Sequence, residues 1–99
     1  MFINTIEMPS IKAGKESDFL EWFKWSTSVY NNFDGFISRR LLKRTKGSEG
    51  FVILMEHKNE KTFMNMHSSK EQKEVFAKLS PLLEGSRIAK FYEVVIDTV

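Results

Sequence analysis

Asn4 sits in the run Met1-Phe2-Ile3-Asn4-Thr5-Ile6-Glu7-Met8, where the alternate positions on its own side are Phe2, Ile6 and Met8. Side chains alternate between the two faces of a strand, so an amide is placed on a face that reads as buried. A buried amide left unpaired costs roughly 1–3 kcal/mol. It therefore either braces neighbouring backbone or points into a pocket where a ligand completes its bonding. In a pocket, Asn4 is the candidate catalytic residue. Its amide would donate a hydrogen bond to negative charge developing on oxygen in a dry site.

The other groups with chemical potential are few. The chain has two histidines and no cysteine, which excludes disulfides, thiolate nucleophiles and sulfur-ligated metals. His67 follows Met66 at a helix end. A neutral imidazole there can ligate iron, making His67 the candidate metal ligand; the plainer reading is a half-exposed helix-end histidine. His57 ends a strand and reads as a solvated or second-layer residue. No acid–His–nucleophile order and no metal-spaced ligand set occurs, so hydrolytic chemistry is not expected.

Met55, Met64 and Met66 offer a soft, adaptable wall. With Trp22, Phe23 and Phe76 they are the expected lining of a substrate cavity between helices and sheet; the alternative is plain core. Arg39, Arg40, Lys43, Arg44 and Lys46 form a basic run that reads as a solvated or edge strand guarded against aggregation. A subordinate reading is an attractor for anionic ligands such as carboxylates. Nucleic acid is not expected: no aromatic interrupts the run, and the net charge is only +2.

These residues need elements to position them. Residues 1–8 read as a strand, ended by Pro9-Ser10 and Ala13-Gly14. Residues 15–31 read as a helix, with Phe19, Trp22, Phe23, Ser26, Val29 and Tyr30 at helical spacing. Asn31-Asn32-Phe33-Asp34-Gly35 stops it. Residues 36–46 and 51–56 read as strands joined by Gly47-Ser48-Glu49-Gly50. Asn59 can cap a helix over 60–67. Residues 69–79 continue as helix, Pro81 interrupts, 82–86 form a loop, and 87–97 form the last strand.

The order β-α-β-β-α-β predicts a ferredoxin-like split βαβ fold of the α+β class, one domain over residues 1–99. Ile3, Val52, Leu54, Tyr92, Val94 and Ile96 remain on the sheet face away from the helices. An apolar face of that kind implies a second copy, packed as a dimeric α/β barrel. The chain is 41% hydrophobic and 13% aromatic, enough for a core. It has no run near the roughly 20 apolar residues of a membrane span and no visible signal peptide, so a cytoplasmic location without membrane attachment is expected.

Six segments, Ile3-Asn4-Thr5-Ile6-Glu7-Met8-Pro9, Phe33-Asp34-Gly35-Phe36, Leu41-Leu42-Lys43, Lys46-Gly47-Ser48-Glu49, Glu60-Lys61-Thr62-Phe63 and Phe91-Tyr92-Glu93-Val94-Val95, taken in order, resemble the antibiotic biosynthesis monooxygenase superfamily. The resemblance implies a dimeric ferredoxin-like barrel. It also implies one of several activities: oxidation of polycyclic aromatics without metal or flavin, quinone oxidation, or haem degradation. The first strand and hairpin look most like the haem-degrading branch, where a first-strand asparagine, matched by Asn4, lies beside haem. That branch's haem-ruffling tryptophan corresponds to Met66, and its axial histidine has no counterpart in residues 72–79. A tryptophan that often ends the third strand of the wider family is replaced by His57.

The expected function is thus a monooxygenase or small-molecule-binding protein of this type acting on a flat hydrophobic or aromatic molecule. The alternatives are a haem-binding, haem-degrading monooxygenase with haem as cofactor, and a non-catalytic dimeric binding module.

Overall fold

The computed structural model describes residues 1–98. Strand β1 (Phe2–Glu7) is followed by a short strand β2 (Ser10–Ile11), helix α1 (Glu16–Tyr30) and strands β3 (Phe36–Lys43) and β4 (Phe51–His57). Helices α2 (Glu60–His67) and α3 (Lys70–Leu79), a 3-10 turn (Ser80–Leu82), and strands β5 (Leu83–Glu84) and β6 (Ile88–Glu93) complete it.

Local chemistry sets these boundaries. In α1, Phe19, Trp22, Ser26 and Tyr30 recur at helical spacing and are the buried positions, while Glu16 and Asp18 favour the positive end of the helix dipole. Asn59 caps α2 by accepting from the Thr62 backbone N–H at 2.9 Å, and Ser69 caps α3 by accepting from Gln72 N–H at 3.2 Å. Gly35 turns the chain into β3 at φ +84°. A Cβ there would come within 2.3 Å of Thr62 Oγ1, so only glycine fits.

The main sheet is antiparallel with order β3-β4-β1-β6, the split βαβ arrangement, and the helices cover one face. Register places Asn4 opposite Met55 of β4 and Phe91 of β6. The helix-facing side of the two central strands carries Phe2, Asn4, Ile6, Ile53, Met55 and His57, all buried. Ile3, Val52, Leu54 and Tyr92 fall on the other side, as the alternation requires. Phe19, Ile53, Met66, Val75 and Leu79 are fully buried and make the centre of the core. Trp22 ties α1 to α3 by donating Nε1–H to the Val75 carbonyl at 2.9 Å.

Several expectations need correction. The first helix and the first three main strands are present close to their expected bounds, but the last strand ends at Glu93 rather than at 97, so Val94 and Ile96 lie beyond it. Residues 82–86 are not wholly loop: β5 pairs with β2, a two-residue ladder too short for periodicity to show. His57 is not solvated. It shares the inward face with Ile53 and Met55 and has no exposed surface. Its Nδ1 meets Thr62 Oγ1 at 3.0 Å and its Nε2 meets Met66 Sδ at 3.3 Å. A thioether sulfur has no proton to give, so Nε2, the nitrogen that faces it, is the protonated one. Burial lowers the His57 pKa, which keeps the ring neutral.

The basic run also divides. Arg40, Lys43 and Lys46 are exposed, as an edge strand would have them. Arg44 pairs with Glu7 at 2.6 Å. Arg39 turns inward beneath α1. Its guanidinium lies 4.4 Å from the Phe23 ring centre, 4.8 Å from Tyr30 and 5.2 Å from Trp22. It donates to Ser26 Oγ at 2.6 Å, Thr27 Oγ1 at 3.0 Å and the Phe23 carbonyl at 3.2 Å. Three aromatic faces and three oxygens stand in for a counter-ion, and desolvation still pulls its pKa down to about 10.

Candidate functional site

A cavity of about 500 Å3 lies between the helix-facing side of β1 and β6 and the flank of α3. The sheet contributes Asn4, Ile6 and Phe91, and α3 contributes Gln72 and Phe76. His67, at the end of α2, and Arg87, just before β6, also line it. Because β6 is an edge strand, Phe91 is 51% exposed and the cavity opens along that edge.

Asn4 is 4% exposed; it bonds neighbouring backbone and also lines the cavity. Its Nδ2 donates to the Lys90 carbonyl at 3.1 Å and, more weakly, to the Thr5 carbonyl at 3.3 Å. Both partners are acceptors, so the opposite amide orientation would set oxygen against oxygen. The nitrogen thus braces β6 against β1, and the carboxamide oxygen is the end left for the cavity. That reverses the polarity expected from sequence: Asn4 offers a ligand an acceptor.

Donors come from the opposite wall. Tyr30 is buried, and its hydroxyl donates to Gln72 Oε1 at 2.5 Å. Burial pushes the phenol up to about 12, so it remains a donor at neutral pH. With Oε1 committed, the Gln72 amide presents Nε2 outward, 3.5 Å from His67 Nδ1. Arg87 stacks on Phe76, its guanidinium carbon 3.8 Å from the ring centre. The cavity therefore combines two aromatic walls, an acceptor on the sheet, and donors on α3 and just before β6. Sequence reasoning missed Gln72 and Arg87.

The other residues expected around Asn4 are dispersed. Phe76 and His67 share the cavity with it. Met55 and Met66 are core, at 4% and 0% exposure. Trp22 and Phe23 lie on the α1 side against Arg39. Met64 points to a separate shallow cavity of about 390 Å3 with Phe2, Glu60, His67 and Phe91.

The donor set does not suit haem. His67 is the one histidine on the cavity wall, and it sits exposed at the rim, stacked on Phe63 at 5.5 Å with Nδ1 turned to Gln72. The Asn4 nitrogen that would serve iron-bound oxygen is spent on backbone carbonyls. Among the described residues no group of three or more His, Asp or Glu is placed to hold a metal ion, and no helix is long and apolar enough to cross a membrane.

No protein-family model matches the chain, and no curated protein matches it. Solved structures do. A conserved protein from Methanosarcina mazei is 22% identical, with 93% of this chain and 91% of that one covered at a TM-score of 0.79. A mutant form of SnoaB, a cofactor-independent oxygenase from Streptomyces nogalater, is 10% identical over 98% and 96% of the two chains, at 0.80. An antibiotic biosynthesis monooxygenase is 10% identical over 97% and 100%, at 0.78. The chain has the ferredoxin-like α+β fold of the antibiotic biosynthesis monooxygenases, end to end.

Proposed function

We propose that this chain is a monooxygenase-type protein that acts on a flat, hydrophobic aromatic molecule held in the cavity between β1, β6 and α3. The observation that carries this reading is the cavity itself: about 500 Å3 with Phe76 and Phe91 as apolar walls and the polar groups of Asn4 and Gln72 converging on it. That size and composition suit a ligand of two or three fused rings. The fold shared with a cofactor-independent oxygenase supports a reaction in which the substrate supplies the electrons that reduce O2. The chain's own contribution is then positional. The half-exposed Phe91 ring gives the ring system a face to lie on, Phe76 adds apolar wall, and Asn4 Oδ1 accepts from a ring hydroxyl to orient it.

The working unit in this reading is a homodimer. Leu42, Ile88 and Tyr92, exposed by 42%, 57% and 48%, join Ile3, Val52 and Leu54 on the face away from the helices. Covering that face would contribute at roughly 25 cal/mol per Å2 of apolar area.

Oxygen uptake with a polycyclic hydroxyaromatic tests the activity. Consumption of O2 that needs the protein and falls at least tenfold, about 1.4 kcal/mol, in Phe76→Ala supports it. Saturable binding without oxygen uptake would make the chain a non-catalytic binding module. A sharp, one-to-one Soret shift on adding haem would contradict the substrate class.

A further inference from the structure

The cavity carries positive charge and no negative charge. Of the residues that line it, Arg87 is cationic, and none is a carboxylate. Arg87 makes no ion pair within the described residues; its one close partner is the Phe76 ring at 3.8 Å. A guanidinium stacked on an aromatic uses its face for that contact. Its N–H donors lie in the plane of the group, at the edge, and stay available.

Gln72 adds a second donor. Tyr30 holds Oε1 at 2.5 Å, and Nε2 is turned the other way, 3.5 Å from His67 Nδ1. Nε2 is what a ligand meets. The Asn4 oxygen on the sheet would repel an anion, so the anionic group belongs with the donors that line the cavity, Arg87 and Gln72 Nε2, and a ring hydroxyl with Asn4.

We infer that the cavity selects an aromatic acid, its planar carboxylate held by the in-plane N–H groups of Arg87 together with Gln72 Nε2, and its rings against Phe91. This rests on the reading of the cavity as the substrate site and adds the charge of the ligand to it. The arrangement gives a direction to binding. The carboxylate fixes one end, and the ring atom to be oxidised lies toward Asn4.

Titration of the full chain with anthraquinone-2-carboxylate and with its neutral carboxamide tests this, read by quenching of tryptophan fluorescence. The acid is expected to bind at least about tenfold tighter than the amide at low salt, with the difference shrinking as salt rises. Arg87→Met removes the guanidinium and should abolish the preference, so that the acid binds no tighter than the carboxamide. Gln72→Glu keeps an acceptor for Tyr30 and replaces the donor with a negative charge, so it should weaken the acid selectively. Equal binding of acid and amide by the native chain, or a preference that survives Arg87→Met, overturns the inference and leaves the cavity reading in place. Binding of neither compound overturns both.

Discussion

Tyr30 donates its hydroxyl to Gln72 Oε1 across 2.5 Å, and in that arrangement the Gln72 Nε2 is the end turned toward His67 Nδ1, at 3.5 Å. A residue buried on α1 is thus bonded to a wall built by α3. Tyr30→Phe should cost about 1–3 kcal/mol in a denaturant melt, because Oε1 loses its buried donor. It should also weaken binding of an aromatic acid, since the freed amide can turn. The phenol gives a pH signature as well. Its pKa is raised from 10 to about 12, so the associated stability is complete below pH 10 and is lost as pH rises from there toward 12. Absorbance titration should show one of the two tyrosines ionising late, and Tyr30→Phe should remove that phase.

His57 sets the behaviour at the acid end. Its pKa is lowered by burial, so the unfolded chain binds the proton first. Stability should be full above about pH 6.5 and fall as pH drops below it. Urea melts at pH 8, 6 and 5 read this directly. His57→Gln should flatten the slope between pH 6.5 and 5; an unchanged slope would assign it to another group.

Gly35→Ala should destabilise by at least about 2 kcal/mol. The new Cβ would stand 2.3 Å from Thr62 Oγ1 at a backbone φ of +84°. Thr62 also bonds the His57 ring, so the acid-side slope should change with it. A thermal melt matching the parent would contradict the geometry.

Leu54→Asp places a charge in the middle of the sheet face away from the helices. If two copies meet there, sedimentation should show monomer or unfolded chain in place of dimer, as a buried unpaired charge costs several kcal/mol. A parent chain that sediments as a folded monomer at micromolar concentration would end the dimer proposal.

Much of this molecule was legible in its sequence, and the failures have physical causes. Alternation put Asn4 on the inward face, and spacing placed Phe19, Trp22 and Tyr30 on one stripe of α1. The same alternation, carried two residues past Met55, would have put His57 inside; its position at a strand end drew attention away. Gln72 also left a signal. It lies three residues before Val75 and seven before Leu79, on the buried stripe of α3. Arg39 was hidden by its basic neighbours and by a bulge between Phe36 and Ser38 that shifts the count of faces. Arg87 stands just before β6, outside any regular element, where periodicity carries no information. Met55, Met66 and Trp22 went to the core because a domain this small needs its large apolar groups there.

The central claim is that the cavity beside Asn4 is where the ligand binds. Nitrogen–proton correlation spectra of labelled protein, recorded with increasing anthraquinone-2-carboxylate, test it most directly. The expected result is saturable shifts of the Asn4 and Gln72 side-chain amides and of the Arg87 Nε–H, together with the backbone of residues 85–91. Shifts confined to the outer face of the sheet around Leu54 and Tyr92, or to the Arg39 cluster beneath α1, would contradict it.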